Sequence, residues 1–182
     1  MTRLALLVFA VVIGTLAVFA LLPPPEQAAP EGTVHLRGTT VTLYPQADAE
    51  AAWYFASDNV AYDPQKRETT LTTLEQGERV VDGEVDFTLE ADVLIIDRQE
   101  DIRSAAITAF IPADDLTVAM TEKDGRVVLI DQREGLFHIP RARLAGGSLG
   151  DTLFEDMRAS FDFTDFSSGG PGTVGYAEFI LD

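Results

Sequence analysis

Residues Glu84–Asp97 read EVDFTLEADVLIID, and their alternation decides the fold class. Val85, Phe87, Leu89, Ala91, Val93 and Ile95 share one parity, while Glu84, Asp86, Thr88, Glu90 and Asp92 share the other. A period of two is the signature of a strand with one buried and one wet face. Just before it, Asp82-Gly83 is a dipeptide that tolerates positive φ and favours a tight hairpin, as is Asp124-Gly125 further on.

Working outward, similar short strands are expected over Val34–Tyr44, Trp53–Tyr62, Thr69–Leu74, Ser104–Ile111, Leu116–Thr121 and Arg126–Asp131. No crossover helix separates them, so the connections are antiparallel and the domain is all-β. Leu149–Ala159 reads as a short helix, Ser167–Gly172 as a loop, and Thr173–Leu181 as a last strand. The segment FASDNVAYD (Phe55–Asp63) aligns without gaps on LEADVLIID (Leu89–Asp97), pairing Asp58 with Asp92 and Asp63 with Asp97, with Ile111–Met120 as a looser third copy.

The first 22 residues form a different region. Leu4–Leu22 (LALLVFAVVIGTLAVFALL) carries no charge, and as a helix would span roughly 28 Å, close to the hydrocarbon thickness of a bilayer. Arg3 precedes it while Glu26 and Glu31 follow, so the N-terminus is expected in the cytoplasm and the body outside. A cleaved signal peptide ending at Ala20 is the competing reading. The length of the apolar run and the prolines Pro23, Pro24 and Pro25 favour an uncleaved anchor. The expected organisation is a transmembrane signal-anchor over residues 1–22, a Pro-rich spacer over 23–32 and one β domain over 33–182.

Composition narrows the function classes. Of 182 residues, 30 are Asp or Glu and 13 are Lys or Arg, a net charge of -17 that argues against binding nucleic acid. There is no cysteine, which removes disulfides, thiolate metal sites and thiol catalysis together. His35 and His138 are too isolated in sequence to define a metal cluster or a triad, and His138 in LFHIP reads as a strand residue on the wet face. Carboxylate pairs such as Asp114-Asp115, or Asp162 with Asp165, are expected by chance at this acidity. No calcium loop, phosphate-binding glycine loop or G-x-S-x-G elbow occurs, and neither catalysis nor a cofactor is expected.

What remains is apolar surface. Inward residues Trp53, Phe55, Val60, Tyr62, Phe87, Leu89, Val93, Ile95 and Ile107 would line a large hydrophobic interior. A closed interior would be only a core, whereas an open one would be a groove for acyl chains, and the sequence admits both.

The strand-turn units WYFASDNVAYD (Trp53–Asp63) and FTLEADVLIID (Phe87–Asp97), placed after a single anchor and spacer, resemble the LptC and OstA-like lipopolysaccharide-transport proteins. The similarity covers roughly Trp53–Met120 and rests on degenerate motifs. It implies an antiparallel, open β-jellyroll in the periplasm, anchored by one pass in the inner membrane. It also implies lipopolysaccharide or another envelope lipid as cargo, received from an inner-membrane ABC transporter. A soluble protein of the same fold would accept that cargo by edge-strand pairing. The nine inward residues would then contact acyl chains. The stretches RARLAGGSLG and LFEDM to FILD depart from the pattern, which puts the C-terminal docking edge in doubt.

Overall fold

A computed structural model describes residues 33–146 and 151–169, with the backbone of 177–180. The expected anchor and spacer lie outside these residues. Twelve strands form one sheet, and every pairing is antiparallel. In chain order they are β1 (Val34–Leu43), β2 (Ala51–Asp63), β3 (Glu68–Val81), β4 (Glu84–Ile96), β5 (Ile102–Ser104) and β6 (Ala106–Ile111). There follow β7 (Leu116–Thr121), β8 (Val128–Asp131), β9 (Leu136–Gly146), β10 (Thr152–Ser160), β11 (Asp165–Ser168) and β12 (Ala177–Ile180). The all-β, antiparallel expectation holds.

The sheet is a meander with one complication. β5 and β6 follow each other along one edge of β4, and β8 and β7 follow each other along one edge of β9. Because β5 pairs β8 and β6 pairs β7, the ladder closes a circuit of six strands, β4–β5–β8–β9–β7–β6. The ear 122–127, pinned by the Lys123–Arg126 bridge, separates β7 from β8. β1 and β12 are the two ends of the sheet.

Both predicted hairpin dipeptides adopt positive φ: Asp82 and Gly83 at 53° and 84°, Asp124 and Gly125 at 53° and 75°. That hand matches the twist of the flanking strands. Asp63, Asp97 and Asp131 each close a strand by accepting two backbone N–H groups of the following turn at 2.8–3.2 Å. The echo between Phe55–Asp63 and Leu89–Asp97 therefore has a structural cause, and its third turn aspartate is Asp131. Ile111–Met120 instead spans the 3-10 turn Pro112–Asp114.

The strands do not keep one parity. In β2 the buried set Trp53, Phe55 and Ser57 resumes at Val60; in β4 Phe87 and Leu89 resume at Leu94 and Ile96; Ser104 of β5 resumes at Ile107 of β6. β3 slips twice, at Leu71, Leu74 and Gly77, and Thr73 adopts φ 57°. These slips are neighbours across the ladder, since Asn59 faces Thr72 and Thr72 faces Val93. They make one transverse crease at which neighbouring strands change the face they bury while keeping register, and β-bulges lie beside it at Ala56/Ser57 and between Leu74 and Gly77. Ser57 Oγ donates to Thr72 O at 2.8 Å and Ser104 Oγ to Val93 O at 2.7 Å, while each hydroxyl also accepts a backbone N–H two residues on. The serines thus supply partners where the ladder is interrupted.

The crease corrects two expected inward residues, and a third is corrected by its exposure. Val93 is 42% exposed and Ile95 lies on the outer parity, half-buried, because the crease transfers the inward set to Leu94 and Ile96. Tyr62 keeps inward parity but is 40% exposed, opposite the more exposed Val34 where β1 and β2 run past the core. The expected helix over Leu149–Ala159 is also corrected, since its described part lies in strand β10. Asp156, at φ 53°, changes the buried face without shifting register against β9 and puts Phe154 and Met157 three apart, which imitates helical spacing.

Gly146 has φ 93°, and an added Cβ would stand 2.3 Å from the Asp115 carbonyl oxygen; Gly83, at φ 84°, faces open space. Gly83→Ala should cost about 1 kcal/mol from its φ alone. Gly146→Ala adds a backbone clash and should cost about 1–2 kcal/mol more, by denaturant unfolding of the domain. Equal losses would contradict this placement of β9 against β7.

Candidate interior site

The crease lets the sheet fold over an aromatic cluster. Trp53 of β2 meets Phe87 of β4 at 5.3 Å between ring centroids, and Phe87 meets Phe137 of β9 at 5.4 Å. Phe161 and Phe163, from the turn between β10 and β11, close the cluster by packing on Phe137 at 5.3 and 5.0 Å. Burying each large aromatic side chain contributes about 2–3 kcal/mol, and edge-to-face contacts add to this. Phe163 is held with φ 55°, a conformation an aromatic residue adopts only when its surroundings fix it.

Six of the nine expected lining residues come together here: Trp53, Phe55, Val60, Phe87, Leu89 and Ile107 are all at most 3% exposed. Tyr62, Val93 and Ile95 do not join them. Sequence reasoning missed Leu94 and Ile96, displaced by the crease, and Phe137, Phe161 and Phe163. The FHIP context hid Phe137, and Phe161 and Phe163 sit in a turn rather than on a periodic strand.

Two polar groups enter this apolar interior. Trp53 Nε1 donates to Gln132 Oε1 at 3.2 Å. Arg79, directly opposite Trp53 on β3, places its guanidinium 4.7 Å over the Phe161 ring and pairs with Asp48 and with Asp86, the extra residue of a bulge in β4. Two carboxylates against one guanidinium leave this triad net negative, while Arg79 Nε and Gln132 Nε2 have no hydrogen-bond partner among the described residues. Chemically, the interior offers apolar contact and two unused N–H donors. Two concavities open on the outer face instead. One of about 580 Å³ has a floor of Ile139, Pro140 and Met157 and a rim of Arg126, His138 and Arg158. The other, about 360 Å³, lies on the crease between Glu75, Glu90 and Asp92.

At the end of β5, burial raises the Asp101 carboxyl above its ordinary range, with repulsion from Asp131 and Asp97 adding to it. The backbone N–H of Gln132 and the Arg133 guanidinium oppose the shift. A carboxyl raised on folding costs stability when ionised, and that cost disappears as pH falls through the raised value toward the ordinary range near about 4. Asp101→Asn should therefore raise Tm at pH 7 and lose its advantage as the pH approaches about 4. A constant difference across that range would contradict the assignment.

No family model and no curated protein matches this chain, so its interior must be read from its own residues.

Proposed function

We propose that the protein is a membrane-anchored, non-enzymatic subunit of an envelope lipid-export system that holds the acyl part of a lipopolysaccharide-type cargo inside an open β-jellyroll. Leu4–Leu22 would be its single inner-membrane span and the β domain would stand in the periplasm. It would receive cargo from inner-membrane ABC transporter components and pass it to a soluble protein of the same fold through an edge strand. The observation that carries this reading is that a turn bearing Phe161 and Phe163 covers the aromatic cluster, while β1 and β12 do not pair with each other among the described residues. Withdrawing two phenylalanines costs about 5 kcal/mol, whereas seating an acyl chain of about a dozen methylenes gains roughly 10 kcal/mol. Exchange of the plug for a chain is therefore affordable on the hydrophobic term.

The second reading is a structural envelope protein with a permanently closed core. The complete burial of Trp53, Phe55 and Phe87, with ring contacts already made, favours it.

The two readings separate on bound lipid. Full-length protein purified in detergent should carry acyl lipid detectable by mass spectrometry. Phe161→Ala with Phe163→Ala should raise its occupancy several-fold, and Phe87→Arg should abolish it in protein that retains its β circular dichroism. Absence of lipid from wild type and plug variant alike would overturn the export reading in favour of the closed core.

A further inference from the structure

The hairpin of β8 and β9 gathers three metal-ligating side chains on its outer face. Asp131 ends β8 opposite Leu136, and His138 stands two residues further along β9, opposite Leu129. They are diagonal neighbours on one face, a spacing that long side chains bridge. Glu134 lies in the intervening turn, its Oε2 3.8 Å from His138 Nε2. One ligand atom from each of the three lies within 4.8 Å of the others.

Two features make the set more than a chance meeting of surface acids. Asp131 is 9% exposed, and its Oδ1 accepts the backbone N–H groups of Arg133 and Glu134 at 3.0 Å each, so the carboxylate is fixed with Oδ2 left to bind. His138 is half-buried in a strand, and an imidazole is a ligand that calcium and magnesium sites rarely use.

The geometry points to a divalent transition-metal site of the zinc class at this hairpin, with Asp131 Oδ2, Glu134 and His138 Nε2 as ligands and water completing the coordination. Bonds of about 2.0–2.2 Å require the ligand atoms to draw in by an ångström or so. Glu134, whose side chain is 58% exposed, is free to make that movement. Of the nearby cations, Arg133 is engaged with Asp101 at 3.5 Å and Arg158 stands opposite His138 on β10, while the net charge of -17 raises the local concentration of cations around the domain. Bound metal would tie the β8–β9 turn to the start of β9, two residues from the Pro140 floor of the larger outer concavity.

The test is Zn²⁺ titration of tag-free, full-length protein in detergent, read by competition with a chromophoric chelator in the presence of millimolar Mg²⁺ and Ca²⁺. One equivalent of Zn²⁺ per chain should bind, with Tm rising on binding. His138→Ala should weaken the affinity at least tenfold, and Glu134→Gln, a change at an exposed turn residue that leaves folding intact, should weaken it several-fold. Binding without defined stoichiometry, binding abolished by Mg²⁺, or affinity unchanged in both variants would overturn the site.

Discussion

The structure depends on one constraint: a strand shows its apolar residues on a single face only while its period of two is unbroken. β2, β3 and β4 contain 13, 14 and 13 residues, longer than one flat layer of core can cover. The crease through Asn59, Thr72 and Val93 resolves this by slipping parity in neighbouring strands at once, so both halves of each strand bury their apolar side. Ser57 and Ser104 make the slip tolerable by bonding the carbonyls that the ladder leaves behind. Without the slip, Leu94 and Ile96 would face water and Val93 would face the core.

Folding at the crease brings β2 and β4 over β9 and allows the Phe161–Phe163 turn to cap the aromatic cluster. The same bends leave shallow concavities on the outer face, so the crease shapes both surfaces of the sheet. The acidity of the chain falls largely on outward parity and in turns, where Asp63, Asp97 and Asp131 organise backbone N–H groups. Asp101 is a buried exception among the carboxylates, and so among the cations is Arg79. Its charge is carried inside only because Asp48, Asp86 and the face of Phe161 surround it.

Much of this was legible in the sequence. The inward pair Phe87 and Leu89, the Asp-Gly hairpins and the echo ending in Asp63 and Asp97 have local causes, and local causes leave local patterns, whereas Val85 is exposed beyond the bulge at Asp86. Parity beyond Ala91 was not legible, because the crease is set by neighbouring strands: Thr73 and Asn59 lie far from Val93 in sequence. Strand β10 was hidden for a related reason, since the change of face at Asp156 converts period two into an apparent period of three. Of the interior site, Trp53, Phe55, Val60, Phe87, Leu89 and Ile107 could be chosen by parity, whereas Phe161 and Phe163 could not, being placed by a turn. The Asp131, Glu134 and His138 set was masked because its members meet only across a hairpin, although the D-x-x-E-x-x-x-H spacing around a turn is a signal that register makes meaningful.

The central claim is that the aromatic interior is a protected apolar space that an acyl chain can enter past the Phe161–Phe163 turn. Trp53, the chain's single tryptophan, sits at its centre with no exposed surface, so its fluorescence reports on this space alone. Emission should be blue-shifted and poorly quenched by acrylamide, and a bromine-labelled fatty acid should quench it saturably, more strongly after Phe161→Ala. Emission that stays blue-shifted and is indifferent to the brominated chain in both proteins would contradict the account and leave the interior a closed core.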